Sequence, residues 1–225
     1  MKNIITLIAV FLTVISYSQK NDPNLRSGQM HSYNPILSNN INKFLNPQKR
    51  IKGSRFLFQN FQEPGIIYTG GKTHTMSGLN IDALNQDIVL KIGTDSILIL
   101  EKNKIDSLKI ADRKFKKVDS NSFYEIVHKN KKITLLKGYD CHIEKGRTNV
   151  MKGTTENDYY KLTNKYFLYQ NETLSNPFEL NKKAVFKLFE KKQKQSKKYI
   201  KNNKLNLKKE DDFIKLLIYL FNNPN

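Results

Sequence analysis

A chain of 225 residues with one cysteine, Cys141, cannot close an intramolecular disulfide. Its stability must therefore come from core packing or from a partner rather than from covalent staples. Tryptophan is absent, and glycine and proline number only ten and six, which excludes collagen-like and Pro/Gly-rich disordered classes. Acidic residues are the scarce charge: 20 Asp and Glu stand against 39 Lys and Arg, a net of +19. That balance disfavours cationic partners and attracts anionic polymers, anionic lipid or nucleic acid. Long apolar runs are missing as well. Ile4 to Ile15 and Phe213 to Phe221 both fall short of the roughly 20 apolar residues that a membrane-spanning helix needs, so no span is expected.

Recognisable chemistry is also sparse. His31, His74, His128 and His142 are scattered without metal-ligand spacing. Cys141 and His142 are adjacent, and on a strand adjacent side chains face opposite ways, so they cannot readily share one ion. No nucleophile motif surrounds Cys141, and Gly70-Gly71-Lys72 lacks the rest of a phosphate-binding loop. Asp87, Glu101, Glu125, Asp140 and Glu144 are available as paired carboxylates for a hydrolase, but each also fits the solvent face of a strand or turn. No catalytic residue, cofactor or metal ligand is assigned.

What is present begins with an export leader. Lys2 supplies a positive start, Ile4 to Ile15 an apolar stretch, and Ser16-Tyr17-Ser18 places small side chains, Ser16 and Ser18, where cleavage before Gln19 requires them. No cysteine lies near that point, which argues against a lipid-anchored form. The expected organisation is a signal peptide over 1–18 and a flexible or loosely docked arm, rich in Asn, Ser and Pro, over 19–52. An antiparallel β-domain over 53–176 and a helical segment over 177–225 follow.

The fold class expected is α+β, a β-sandwich or open barrel followed by two C-terminal α-helices. Short β-rich runs recur with turns between them: Arg55–Phe58, Ile66–Tyr68, Thr73–Met76, Asp87–Ile92, Ser96–Leu100, Ile105–Ile110, Phe123–Val127, Ile133–Leu136, Tyr139–Ile143 and Lys165–Tyr169. No stretch between them is long enough for a helical crossover, which disfavours a parallel sheet. After Pro177 the period becomes helical. Asn181 is placed as an N-cap, with Leu180 and Val185 as a hydrophobic staple. One helix is expected to run to Asn202, with Lys192 and Ser196 interrupting the stripe of Val185, Phe189 and Ile200. A second begins at Glu210-Asp211-Asp212, whose charge favours a helix N-terminus.

Charge concentrates in this last segment. Residues 182–209 hold twelve lysines and one glutamate, a net of +11. Lys191, Lys192, Lys194, Lys197, Lys198 and Lys201 are the candidate contacts to an anionic partner. Phe213, Leu216, Leu217 and Leu220 are the candidate apolar docking residues, either under the sheet or in a partner's groove. Phe115 among Arg113, Lys114, Lys116 and Lys117, and Tyr160 beside Lys161 and Lys165, offer the mixture of cation and ring that single-stranded nucleic acid uses. No nucleic-acid-binding motif accompanies them, so no specific nucleic-acid partner is assigned.

Gly53-Ser54-Arg55-Phe56-Leu57, Phe61, Pro64-Gly65 and Tyr68, together with the run from Lys198 to Leu216, resemble an uncharacterised family of exported Bacteroidota proteins. The resemblance implies an exported location, periplasmic or extracellular, and a lysine-rich helix–turn–helix ending. It implies no activity. The function expected is a non-enzymatic envelope binding or scaffold protein with a basic surface, its partner an anionic envelope polymer or a protein. The alternative is an unrecognised hydrolase of an envelope polymer.

Overall fold

The computed structural model describes residues 37–43, 51–94, 96–119 and 122–222. The expected leader, its cleavage point, His31 and most of the arm lie outside the described residues.

The first strands are β1 (Leu37–Lys43), β2 (Ile51–Lys52), β3 (Pro64–Thr69), β4 (Lys72–Ser77), β5 (Leu79–Asp82), β6 (Asp87–Ile92) and β7 (Ser96–Leu100). Then come β8 (Ser107–Ile110), β9 (Arg113–Lys117), β10 (Phe123–Lys129), β11 (Thr134–Glu144), β12 (Thr148–Asn149), β13 (Thr154–Thr155), β14 (Asp158–Gln170) and β15 (Thr173–Leu174). They build a small sheet in the order β1-β7-β6-β5 and a large one in the order β15-β14-β11-β10-β9-β8-β3-β4. A short hairpin, β12-β13, stands apart. Every pairing is antiparallel except that of β2, which joins β14 in parallel at Asp158 and Tyr159. The protein is thus α+β, with open sheets instead of a closed barrel. Two pieces of the segment read as an arm take part, β1 beside β7 and β2 beside β14.

Several strands differ from the sequence reading for clear reasons. Arg55–Phe58 is not a strand: it makes one bridge, Phe56 to Asp82, flanked by bonds from Leu57 N to Ile81 O (2.9 Å) and Ala83 N to Arg55 O (3.0 Å). Ile133–Leu136 and Tyr139–Ile143 are not two strands, because Gly138 stays in the β11 ladder opposite Lys165. A Cβ there would sit 3.1 Å from the Phe167 ring and 3.2 Å from Tyr124, so glycine serves close packing and not a turn. Strand β5 hides from an alternation test since all four of its residues are buried. Gly65 lets β3 approach it, for a Cβ would fall 2.6 Å from Leu79 Cβ.

The C-terminal segment folds as α1 (Lys182–Leu188), α2 (Gln193–Asn202) and α3 (Glu210–Asn222). Asn181 caps α1 as its sequence position suggests, accepting the Ala184 N–H at 2.9 Å. The single helix expected through Asn202 is instead two. Phe189 (φ −114°, ψ 43°) and Lys192 (φ −110°, ψ 19°) leave helical geometry around a 3₁₀ turn at Glu190–Lys192. The break lets the Lys192 ammonium donate to the Leu220 carbonyl at 2.7 Å, at the end of α3 where the helix dipole favours a cation. Ser196, which interrupts the apolar stripe, is buried with its hydroxyl donated to Lys192 O at 2.9 Å.

Phe213, Leu216, Leu217 and Leu220 recur at helical spacing and are all 0% exposed. They join Ile133, Leu135, Tyr166, Leu168, Phe178, Val185, Phe189 and Ile200 in one core between sheet and helices. Burying such side chains contributes roughly 1.5–3 kcal/mol each before entropy is counted. These candidate docking residues therefore dock on the chain's own sheet, which removes them from any partner's groove. Among the described residues, no helix is long and apolar enough to cross a membrane.

Candidate anion-binding surface

The large sheet carries a second kind of interior beside its apolar core. Cross-strand register places Ile67, Leu108, Phe115, Glu125, Lys137 and Tyr166 in one row from β3 to β14. Leu108 and Phe115 are buried at one end and Tyr166 meets the helical core at the other. Between them runs a polar seam.

Arg113 grips Glu125 with two bonds, Nε to Oε1 at 2.9 Å and Nη2 to Oε2 at 2.7 Å. The Tyr139 hydroxyl accepts from Arg113 and donates to Glu125. The guanidinium carbon also lies over the rings of Phe58 (5.0 Å), Phe115 (5.4 Å) and Tyr139 (4.9 Å). Burial weakens the guanidinium's hold on its proton, but the Glu125 carboxylate more than restores it. Burial and the bond to Glu125 push the Tyr139 phenol far above its ordinary range, so it stays a neutral donor. One residue along the same face, Lys137 Nζ meets Glu210 Oε2 at 2.8 Å, and Tyr166 donates to that oxygen at 2.6 Å. Burial resists ionisation of Glu210, yet the Lys137 and Tyr166 bonds hold its carboxyl below the ordinary range. This pair ties the first turn of α3 to the sheet. The seam is closed on itself: each charge has its partner within the chain.

The lysines of α1 and α2 are placed differently. Lys191, Lys194, Lys197, Lys198 and Lys201 are exposed, and none has an ion pair among the described residues. Lys192 is the exception, bound to Leu220 O and lying 5.8 Å from the centre of the Phe221 ring. Lys197 and Lys201 join Lys182 and Lys204 around an open groove of about 490 Å³ with Phe186, Ile200 and Leu205 below them. No carboxylate lines that groove. Of the six candidate contacts, two thus converge on one concavity, three project from α2 or the turn before it, and one is structural. Lys182 and Lys204 were missed because they lie at opposite ends of the segment and meet only when α1 folds back on α2.

The remaining candidates disperse. Phe115 is 1% exposed and cannot stack on a base, which corrects its reading as a nucleic-acid contact. Lys161 is paired with Glu144 at 2.6 Å, and Lys116 lies 4.0 Å from the centre of the Tyr169 ring. The five carboxylates considered for hydrolysis have separate partners. Asp87 meets Lys102 (3.2 Å), Glu101 meets Lys104 (2.8 Å), Glu125 meets Arg113, and Glu144 meets Lys161. Asp140 accepts from the backbone of Cys141. A groove of about 660 Å³ near Pro177 holds only Glu179, and one of about 230 Å³ at Gly138 holds only Asp140. Cys141 is buried and His142 exposed, and burial followed by the charges of Asp82 and Asp140 pushes the thiol up, away from the reactive thiolate. Among the described residues, no three His, Cys, Asp or Glu gather as a metal site.

Asn80 and Asp82 also escaped the sequence reading. Asn80 is fully buried and replaces a strand partner, accepting Phe58 N (3.1 Å) and donating to Phe58 O (2.9 Å). Asp82 accepts the backbone N–H groups of Leu84 and Asn85 and pairs with Arg55 at 3.0 Å. Their signal is two amide- or carboxyl-bearing residues on a strand with no polar face to hold them. They anchor the loop after Gly53 and carry no chemistry of their own.

No family model matches the chain, and neither the curated proteins nor the solved structures contain a match to it.

Proposed function

We propose that this is a non-enzymatic protein of the cell envelope or exterior that binds an anionic polymer through the lysine face of α1 and α2. The observation that carries the reading is the acid-free groove ringed by Lys182, Lys197, Lys201 and Lys204. The cations of the polar seam, Arg113 and Lys137, are paired internally, whereas these present ammonium groups over an apolar floor. The arrangement suits carboxylated or phosphorylated polymers with some apolar character. The leader over 1–18, cleaved near Ser18/Gln19, and the resemblance to exported Bacteroidota proteins support the compartment. The sheet acts as the scaffold that holds the helices through the core of α3.

Binding of the purified protein to an immobilised anionic polysaccharide, followed as salt is raised, tests the reading. Exposed charges are screened over about 8–10 Å near 0.1–0.15 M salt, so affinity should fall steeply. Replacing Lys197, Lys201 and Lys204 with Gln should weaken binding by about tenfold or more while leaving unfolding unchanged, at roughly 1 kcal/mol or less per exposed contact. Salt-insensitive binding, or full affinity in the triple variant, would overturn it.

A further inference from the structure

The most exposed apolar side chains lie far along the sequence from the lysine helices. Val150 and Met151 are 87% and 99% exposed. They form the 3₁₀ turn (Val150–Lys152) between β12 and β13, at the end of the longest hairpin in the protein. β11 and β14 stay paired from Thr134–Tyr169 out to Glu144–Tyr159, but β10 accompanies β11 only as far as Lys137. Beyond Gly138 the two strands run on as a ribbon, with β2 touching only its far end at Asp158 and Tyr159.

The tip of this ribbon is built, not loose. Asp158 clamps its neck, accepting Gly146 N at 2.9 Å and pairing with Lys145 at 2.9 Å. Glu156 N donates to Arg147 O at 3.0 Å. Gly146 is required there, since a Cβ would lie 2.0 Å from Glu156 O. Above the neck, Thr148 faces Thr155 and Asn149 faces Thr154, and Gly153 N closes the turn onto Val150 O at 3.3 Å. Two apolar side chains are thereby held outward at a convex point. From Lys145 to Glu156 the sequence carries three cations, Lys145, Arg147 and Lys152, and one acid, Glu156. The flanking acids, Asp158 and Glu144, are bonded to Lys145 and Lys161, which leaves the tip a net of +1 from Arg147, Lys152 and Glu156.

We infer that the β12–β13 tip is a membrane-surface anchor, inserting Val150 and Met151 among the acyl chains of an anionic bilayer while its basic neck meets the headgroups. Convexity selects this occupant. Two side chains on a point bury far less than the roughly 1,000 Å² that a specific protein interface needs, whereas a fluid bilayer closes around any shape. Charge selects the lipid, because each cation near an anionic surface adds attraction that neutral lipid does not offer. The anchor is distinct from the lysine groove of the helices and does not depend on it.

The test uses the purified protein carrying an environment-sensitive fluorophore at M151C on a C141S background, mixed with phosphatidylcholine vesicles with or without phosphatidylglycerol. The expected result is a blue shift and quenching by acyl-chain quenchers with the anionic vesicles only. The unlabelled V150S/M151S variant should bind those vesicles about tenfold more weakly than the native chain, from the lost apolar transfer of two side chains. A K197Q/K201Q/K204Q variant should keep the blue shift. An unshifted tip on bound vesicles, equal vesicle affinity of the native and V150S/M151S chains, or no vesicle binding at all would overturn the anchor. Loss of polymer binding in the helix variant with an intact tip signal would leave the anchor standing and separate the two surfaces.

Discussion

Lys137 on the sheet and Lys194 on α2 are the same residue type in the same strongly basic chain, and the fold gives them opposite roles. Lys137 is held between Glu210 and the rings of Tyr139 and Tyr166, in a seam whose other cation, Arg113, is bonded to Glu125 and stacked on three rings. Lys194, Lys197 and Lys198 have solvent and no acid. Net charge therefore does not measure binding capacity; only the fraction left without internal partners does. In this molecule the α2 lysines belong to that fraction, while the seam spends its charges on joining the sheet to α3.

The sharpest way to break the contrast is at Arg113. Arg113→Ala leaves Glu125 half-buried without its partner and should lower stability by about 3 kcal/mol, read as a shift in urea midpoint. Arg113→Lys should recover little of this, because a point charge cannot reproduce the two-pronged bond or the stacking.

A smaller effect is expected at Glu210. Glu210→Gln should cost about 1 kcal/mol, since the carboxylate is partly solvated and its bonds to Lys137 and Tyr166 weaken without vanishing. The pH dependence has a definite sign. The folded state holds the Glu210 pKa below its unfolded value near 4.5, so its contribution is fully present above that pH. It is lost as pH falls through the depressed folded value, where native and E210Q midpoints should converge. Tyr166 stays protonated throughout, its phenol raised by burial and then by Glu210. A difference between the two chains that persists unchanged at low pH would place the cost elsewhere than in the ion pair.

Least of all should the exposed lysines matter to folding. Lys194→Gln with Lys198→Gln should move stability by less than about 0.5 kcal/mol in thermal or urea melts, while polyanion affinity drops. A large loss of stability would dissolve the distinction between the two lysine populations.

How far these roles were legible depends on how local their causes are. The Asn181 cap, the acidic start of α3 and the i, i+3, i+4, i+7 spacing of Phe213, Leu216, Leu217 and Leu220 are properties of a few neighbouring residues, and all are seen in the fold. Strand β9 was hidden because its alternation of cation and Phe115 imitates a nucleic-acid patch, and only its pairing with β8 and β10 shows the phenylalanine turned inward. The groove of the helices was half legible. Lys197 and Lys201 lie one turn apart on α2, but Lys182 and Lys204 reach it by folding.

By itself the sequence determined the α+β class, the absence of covalent staples, the starts of α1 and α3 and the concentration of lysine after residue 181, because composition, periodicity and capping act over a few residues. Tertiary structure alone decided which charges cancel. It brought Glu125 of β10 and Tyr139 of β11 to Arg113 of β9, and Glu210 to Lys137 across 73 residues of chain. It left the α2 lysines and the Val150–Met151 tip without such company. A long-range ion pair such as Arg113–Glu125 or Lys137–Glu210 exists only where two distant segments are held within about 4 Å, and no local pattern encodes that distance.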